Sequence, residues 1–376
     1  MTGQRIAQSS APDRQQAFAA FLAQAGLPGA TIRPLAGDAS ARRYFRVEDG
    51  DHRFVLMDAP RPENESMAYF AAVTAWLREH DLSAPEILAA DLEAGLLLLE
   101  DLGDALFARV LEQEGTPARE TELYAAAVDL LADLPPGAAP QGTAAYDRAT
   151  LLAEARLATD WWAAGAGHPQ DESAIAAFEA AMAAALQPAL APAPETETDA
   201  VAVLRDYHAE NLLWLPGRAG AARVGLLDYQ DARLGHPAYD LVSLLEDARR
   251  DTDAALQKAM LSRYLDRRGL RGEAAMAFRA AYAALGAQRN LKIVGIFARL
   301  CLRDAKPRYL ALIPRVWAHL ERDLAAPGLS ALARLIRETL PPPEPQTLKA
   351  LAARAGTGAP GAPGAPETPR APGAGA

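Results

Sequence analysis

The stretch VAVLRDYHAENLLWLPGRAGAARVGLLDYQDARLGHPAYDLVSLL, Val201 to Leu245, decides how this chain folds. An apolar run, Val201 to Leu204, delivers Arg205 and Asp206, and Asn211 follows five residues after Asp206. A Pro/Gly turn leads to a second apolar run, Val224 to Leu227, which delivers Asp228. Asp240 heads the helical pattern beyond it. Polar residues at the exits of short buried strands are fixed by a rigid core and free to face a cleft. Two carboxylates and an amide are oxygen donors of the kind Mg²⁺ takes, with water and substrate phosphates filling the rest of its shell. The plainer reading of the same residues is a pair of hairpin strands with solvated turn acids.

An Asp, an Asn five residues on, and an Asp after the next strand is the order of protein-kinase-type phosphotransferases. There the first Asp accepts the substrate hydroxyl proton, and the Asn and second Asp hold the metals. The D-x-x-x-x-N spacing alone is a weak signal. Joined to the strand-borne Asp and the H-x-x-N inside the loop, it outweighs the turn reading. The segments RDYHAENLLW and GLLDYQDARLGHPAYDLVSLL resemble the aminoglycoside phosphotransferase/choline kinase-like family. Within it they are most similar to bacterial kinases of the anomeric hydroxyl of N-acetylmuramate and N-acetylglucosamine in cell-wall recycling. The likeness runs from about Gly37 to Leu340.

That resemblance implies an α+β, two-lobed protein-kinase-like fold. A small antiparallel-sheet N-lobe over residues 15–102 would bind nucleotide, and a larger, mainly helical C-lobe over 103–340 would hold catalysis and acceptor. It implies ATP and Mg²⁺ as cofactors, Asp206 as the base, and Asn211 and Asp228 as metal ligands. The acceptor is a small molecule bearing a hydroxyl, an amino sugar. At the hinge Glu100-Asp101-Leu102-Gly103, the Glu100 carbonyl and Leu102 N–H would meet the adenine edge. The turn GDASARRYF stands where kinases carry a glycine-rich loop, and its backbone N–H groups with Ser40 and Arg42 or Arg43 would hold phosphate oxygens.

Two positions depart from the kinase pattern. Leu204 replaces a His two residues before the base, which bears on loop bracing rather than on chemistry. Met57 stands where kinases place a strand Lys on the α- and β-phosphates, so another cation is required, and Arg43 on the neighbouring strand is the candidate. These departures keep a rival open, a non-catalytic nucleotide-binding scaffold. Another acceptor, such as an aminoglycoside or a choline- or homoserine-like alcohol, is open as well.

Length and composition agree with this reading. The 376 residues suffice for two subdomains, and 50% apolar with 23% charged residues is an ordinary globular balance. A formal charge of −10 argues against nucleic acid or an anionic membrane as main partner. Cys301, the only cysteine, lies in the apolar helical pattern IFARLCLR and reads as a buried small hydrophobe. MTGQRIAQSS lacks the apolar centre of a signal peptide, and no apolar run approaches the ~18 residues of a membrane span. A cytoplasmic protein is expected.

Along the chain, residues 1–14 are polar and read as a flexible N-terminus, and a helix follows from Arg14. Three short strands then form a meander, and a helix over Asn64–His80 has Asn64 as cap and Glu65 in its first turn. SAPEILAADLEAGLLLLEDLGD holds two more strands. Adjacent Trp161 and Trp162 on a helix point ~100° apart, so one is core and the other could line a cleft. His208 reads as a loop brace, and Asp240 as a cap or a prop for the Arg205 loop. Arg289, Lys292, Arg299, Arg303 and Lys306 form a locally basic set, either a solvated face or a wall for an anionic sugar. Residues 341–376 are rich in Pro, Gly and Ala and read as a disordered tail.

Overall fold

The computed structural model describes residues 11–35, 42–59, 67–190 and 200–359. The chain divides into two compact units. One comprises Met1–Leu106 with Pro140–Gly142 and Leu212–Gln230; the other comprises Phe107–Ala139, Thr143–Asn211 and Asp231–Ala376. The Leu212–Gln230 segment thus joins the first unit, which chain order alone does not reveal. Ser40, Asn64 and Glu65 lie outside the described residues.

The first unit contains helix α1 (Ala11–Gln24), strands β1 (Thr31–Pro34), β2 (Arg43–Asp49) and β3 (His52–Asp58), helix α2 (Met67–Glu79), and strands β4 (Ile87–Asp91) and β5 (Leu96–Glu100). The strands form one antiparallel sheet in the order β1-β2-β3-β5-β4. Alternation in a strand sends successive side chains to opposite faces. Phe18, Phe21 and Leu22 of α1 pack on Val47, Leu56, Leu96 and Leu98, with Phe45 and Phe54 alongside. On that same face Arg43 lies opposite Asp58 in the β2–β3 register. The fully buried Asp58 carboxylate accepts from Arg14 Nε and from Arg43 Nε, each at 2.9 Å. Tyr44 and Arg46 of β2, with Val55 and Met57 of β3, belong to the other face; Tyr44 is the cross-strand partner of Met57.

Beyond residue 200 come four short strands, β6 (Val201–Val203), β7 (Leu212–Trp214), β8 (Val224–Leu226) and β9 (Arg233–Gly235). The antiparallel pair β7–β8 belongs to the first unit and the pair β6–β9 to the second. All four are too short to be stable alone, and every residue of β6, β7 and β8 is buried.

The second unit is helical. Its helices are α3 (Phe107–Glu114), α4 (Pro117–Asp133), α5 (Arg148–Ala155), α6 (Glu172–Ala185), α7 (Gln187–Leu190), α8 (Ala238–Leu245), α9 (Ala254–Arg267), α10 (Gly272–Leu302), α11 (Ile313–Leu324), α12 (Ser330–Thr339) and α13 (Pro345–Ala352). Thr116, Asp147, Asp171 and Asp253 cap α4, α5, α6 and α9 through side-chain oxygens. The 31-residue α10 is the axis of the unit. At Gly295 it approaches the backbone of Leu157 so closely that an added Cβ would lie 2.2 Å from the Leu157 carbonyl carbon. Leu157 opens a π-helical stretch, Ala158–Ala163. Trp162 there is the core member of the tryptophan pair, its Nε1 donating to Pro341 O at 2.9 Å, while Trp161 is half-buried.

The first part of the expected tail is ordered. Pro345 sits in the first turn of α13, where a missing N–H costs nothing. Leu351 is fully buried, Cys301 Sγ lies 3.5 Å from its carbonyl oxygen, and Arg354 Nη1 donates to Gly165 O at 2.7 Å. Cys301 is buried, as its apolar setting suggests. No helix among the described residues is long and apolar enough to cross a membrane.

Candidate active site

In the second unit, β6 ends at Val203 and the chain turns sharply. Arg205 has a left-handed backbone, φ 72°. Among the described residues only four non-glycine positions do, and Asp228 (φ 57°) is another. Such strain persists where the surroundings over-determine it. Around Arg205 they do: the buried Asp240 carboxylate accepts from Leu204 N at 2.6 Å and Arg205 N at 2.8 Å, and Ser243 Oγ donates to Arg205 O at 3.1 Å. Ser243 Oγ in turn accepts from the buried Arg289 Nη2 at 2.7 Å. Asp240 is therefore the prop of this loop. With Tyr207 OH bonded to Ala127 O at 2.8 Å, these contacts brace the loop although Leu204 stands in place of the His.

Burial pushes the Asp240 carboxyl up to about 7 from 3.8, against the pull of its two backbone N–H donors. The folded value exceeds the unfolded one, so the contribution is full below pH about 4 and is lost as pH rises through about 7. Asp240→Asn cannot titrate. Its melting temperature should vary less than the wild type's between pH 4 and 7, and equal slopes in calorimetric scans would count against this account.

Asp206 is half-buried. Its carbonyl accepts from Asn211 Nδ2 at 3.0 Å, so the two residues are locked by the loop itself. Asn211 Nδ2 also lies 3.4 Å from His208 Nε2. His208 is buried, and burial lowers its pKa, which suits a neutral loop brace. Next in the chain to Asp206, Arg205 pairs with Glu154, which also binds Lys292 Nζ at 3.0 Å and accepts from Tyr146 OH. Burial would raise the Glu154 pKa, but Lys292 and Arg205 together hold it below its ordinary value. Of the expected basic set, Lys292 alone takes part in this cluster; Arg303 pairs with Asp304 at 2.6 Å. Glu154 carries no signal in the sequence, being one acid on an ordinary helix.

In the first unit, Asp228 follows β8, and Gln230 Nε2 donates to its Oδ1 at 2.8 Å. Tyr229, next to it, stacks on Phe70 at 5.4 Å between centroids and shares a 2.9 Å hydroxyl contact with Thr74, which ties this turn to α2. Tyr44 lies near Asp228: burial first, then Asp228, push its phenol up, while Arg42 acts against them and hydrogen-bonds it. Arg42 is buried. Arg43 is not in this group, being held on the α1 face by Asp58. At the end of β5, Glu100 binds Arg218, which also donates to Ser83 Oγ at 2.7 Å, and Leu102 packs within 3.2 Å of where a Cβ on Gly225 would lie.

Residues 31–282, more than half of the chain, match the family described as "Phosphotransferase enzyme family". A protein named N-acetylmuramate/N-acetylglucosamine kinase from Caulobacter vibrioides is 41% identical over 356 residues, covering 85% of this chain and 95% of that protein. One of the same name from Pseudomonas aeruginosa is 36% identical over 316 residues, covering 82% and 89%. A solved choline/ethanolamine kinase family protein from Mesorhizobium loti superposes with a TM-score of 0.57 at 17% identity, covering 86% of this chain and 99% of that one. The fold is protein-kinase-like, as the resemblance implied.

Proposed function

The chain belongs to the phosphotransferase enzyme family, and on that premise we propose that it is an ATP-dependent kinase of the anomeric hydroxyl of N-acetylmuramate and N-acetylglucosamine. The observation that carries this is the 41% identity, across 85% of the chain, with the Caulobacter protein so named. Asp206 is the base, taking the acceptor hydroxyl proton as that oxygen attacks the γ-phosphorus and the bond from that phosphorus to the β–γ bridging oxygen breaks, with ADP leaving. Its loop holds it by backbone bonds, so the carboxylate is left for chemistry. Asn211 and Asp228 are the oxygen ligands for Mg²⁺, which when bound neutralises charge on the phosphates. The donor set suits a hard cation: the Asn211 nitrogen is committed to the Asp206 carbonyl, leaving its oxygen as the ligand, and Gln230 orients Asp228. The Glu100 carbonyl and Leu102 N–H receive the adenine edge. The cytoplasm, where ATP is available, is the compartment such a reaction requires.

The test is mass analysis after incubation with Mg·ATP and each sugar. The expected product gains one phosphoryl group and loses its reducing-end reactivity, since the anomeric oxygen is blocked. Transfer to an aminoglycoside, choline or homoserine but to neither sugar would replace the acceptor. Binding of Mg·ATP with transfer to none of them would favour a nucleotide-binding scaffold.

A further inference from the structure

Met57 is fully buried at the place where a kinase lysine would meet the α- and β-phosphates. We propose that Arg42 is the phosphate-binding cation, supplying from the start of β2 the charge that β3 lacks; this rests on the kinase reading above. The argument is one of strand parity. Arg43, Phe45 and Val47 point toward α1, and the Arg43 guanidinium is fixed there on Asp58 beside Arg14. Tyr44 faces Met57 across the register and therefore shares its side of the sheet. Arg42, two residues before Tyr44, hydrogen-bonds that phenol, and the charge of Asp228 acts on the same group. Arg46 lies on this side too, but Asp101 and Asp104 hold it, each at 2.9 Å. Arg42 is thus the arginine of β2 and its approach that shares the Met57 side and bonds the Tyr44 phenol, the group on which the charge of the proposed metal ligand Asp228 acts. A guanidinium there presents a planar fork to two phosphate oxygens at once, which a lysine cannot.

The experiment measures the Kd of Mg·ADP by calorimetry and the KM for Mg·ATP with N-acetylglucosamine as acceptor. Arg42→Ala should raise both roughly ten- to hundredfold, the range for losing charge-assisted hydrogen bonds, and leave the acceptor KM nearly unchanged. Arg42→Lys should keep part of the affinity, and Met57→Lys should restore some of it in the Arg42→Ala background. Arg43→Ala should lower the melting temperature without moving the Mg·ADP Kd. If Arg42→Ala fails to fold, Arg42→Gln and Arg42→Lys take its place. Loss in the first with retention in the second supports the charge, and equal retention overturns it. Wild-type affinity in Arg42→Ala, or the loss appearing in Arg43→Ala instead, also overturns it. Because Mg·ADP binding needs no acceptor, a protein that phosphorylates neither sugar but shows this dependence on Arg42 sinks the acceptor reading alone.

Discussion

Asp206→Asn is expected to abolish phosphoryl transfer while leaving the protein folded and able to bind Mg·nucleotide. The loop contacts of residue 206 run through its backbone: its N–H donates to Leu204 O at 2.9 Å and its carbonyl receives Asn211 Nδ2 at 3.0 Å. An isosteric amide keeps all of them. What it loses is the ability to take a proton, and general-base catalysis of this kind contributes about 10²- to 10⁴-fold. The variant should therefore show kcat down by at least about a hundredfold, with a melting temperature and Mg·ADP affinity close to wild type. Near-normal turnover would remove Asp206 from the role of base.

Gly295→Ala is expected to be the most damaging single methyl in the second unit. The new Cβ would lie 2.2 Å from Leu157 C and 2.4 Å from Leu157 O, both backbone atoms that no rotamer change can move. Relief requires α10 to slide away from the entry of the π-helical stretch. Overpacking of this kind costs about 1–3 kcal/mol, occasionally more, and a rigid backbone neighbour argues for the upper end. In a unit of this size that is a fall in melting temperature of roughly 6 °C or more. Activity should drop as well, because Lys292 lies on the same helix and holds Glu154, the partner of Arg205 next to Asp206. Gly217→Ala, where nothing lies within 4 Å, is the matched control. Equal melting curves for the two variants would mean that the Leu157 approach is looser than described.

The family was readable from the chain because an Asp and an Asn at fixed spacing, at strand exits, stand out against apolar runs. The five strands of the sheet were readable for the same reason, their alternation being interrupted by Gly/Asp turns. The face on which Arg43 lies was decidable too: Phe45 and Val47 mark the core side of β2, and Arg43 shares their parity, so it points away from the Met57 side. Glu154 was not decidable. An acid on an Ala-rich helix looks solvated until folding brings Arg205 and Lys292 to it. The π-helical stretch was equally hidden, since it is the close approach of α10 at Gly295 that accompanies it, a contact between segments over a hundred residues apart. Helix α13 left one trace that was passed over, a Pro at a helix start followed by Leu348 and Leu351 three residues apart.

That C-terminal helix governs when the protein can finish folding during synthesis. Residues 345–358 cover Gly165 and Cys301, and the N–H of Gly358 still bonds to Leu302 O at 2.9 Å. A chain with these residues still in the ribosomal exit tunnel leaves Gly165 and Cys301 without this cover. The first unit likewise waits for Leu212–Gln230. Neither half is a vectorial domain, so the nascent protein carries open apolar faces until residues 345–358 have emerged.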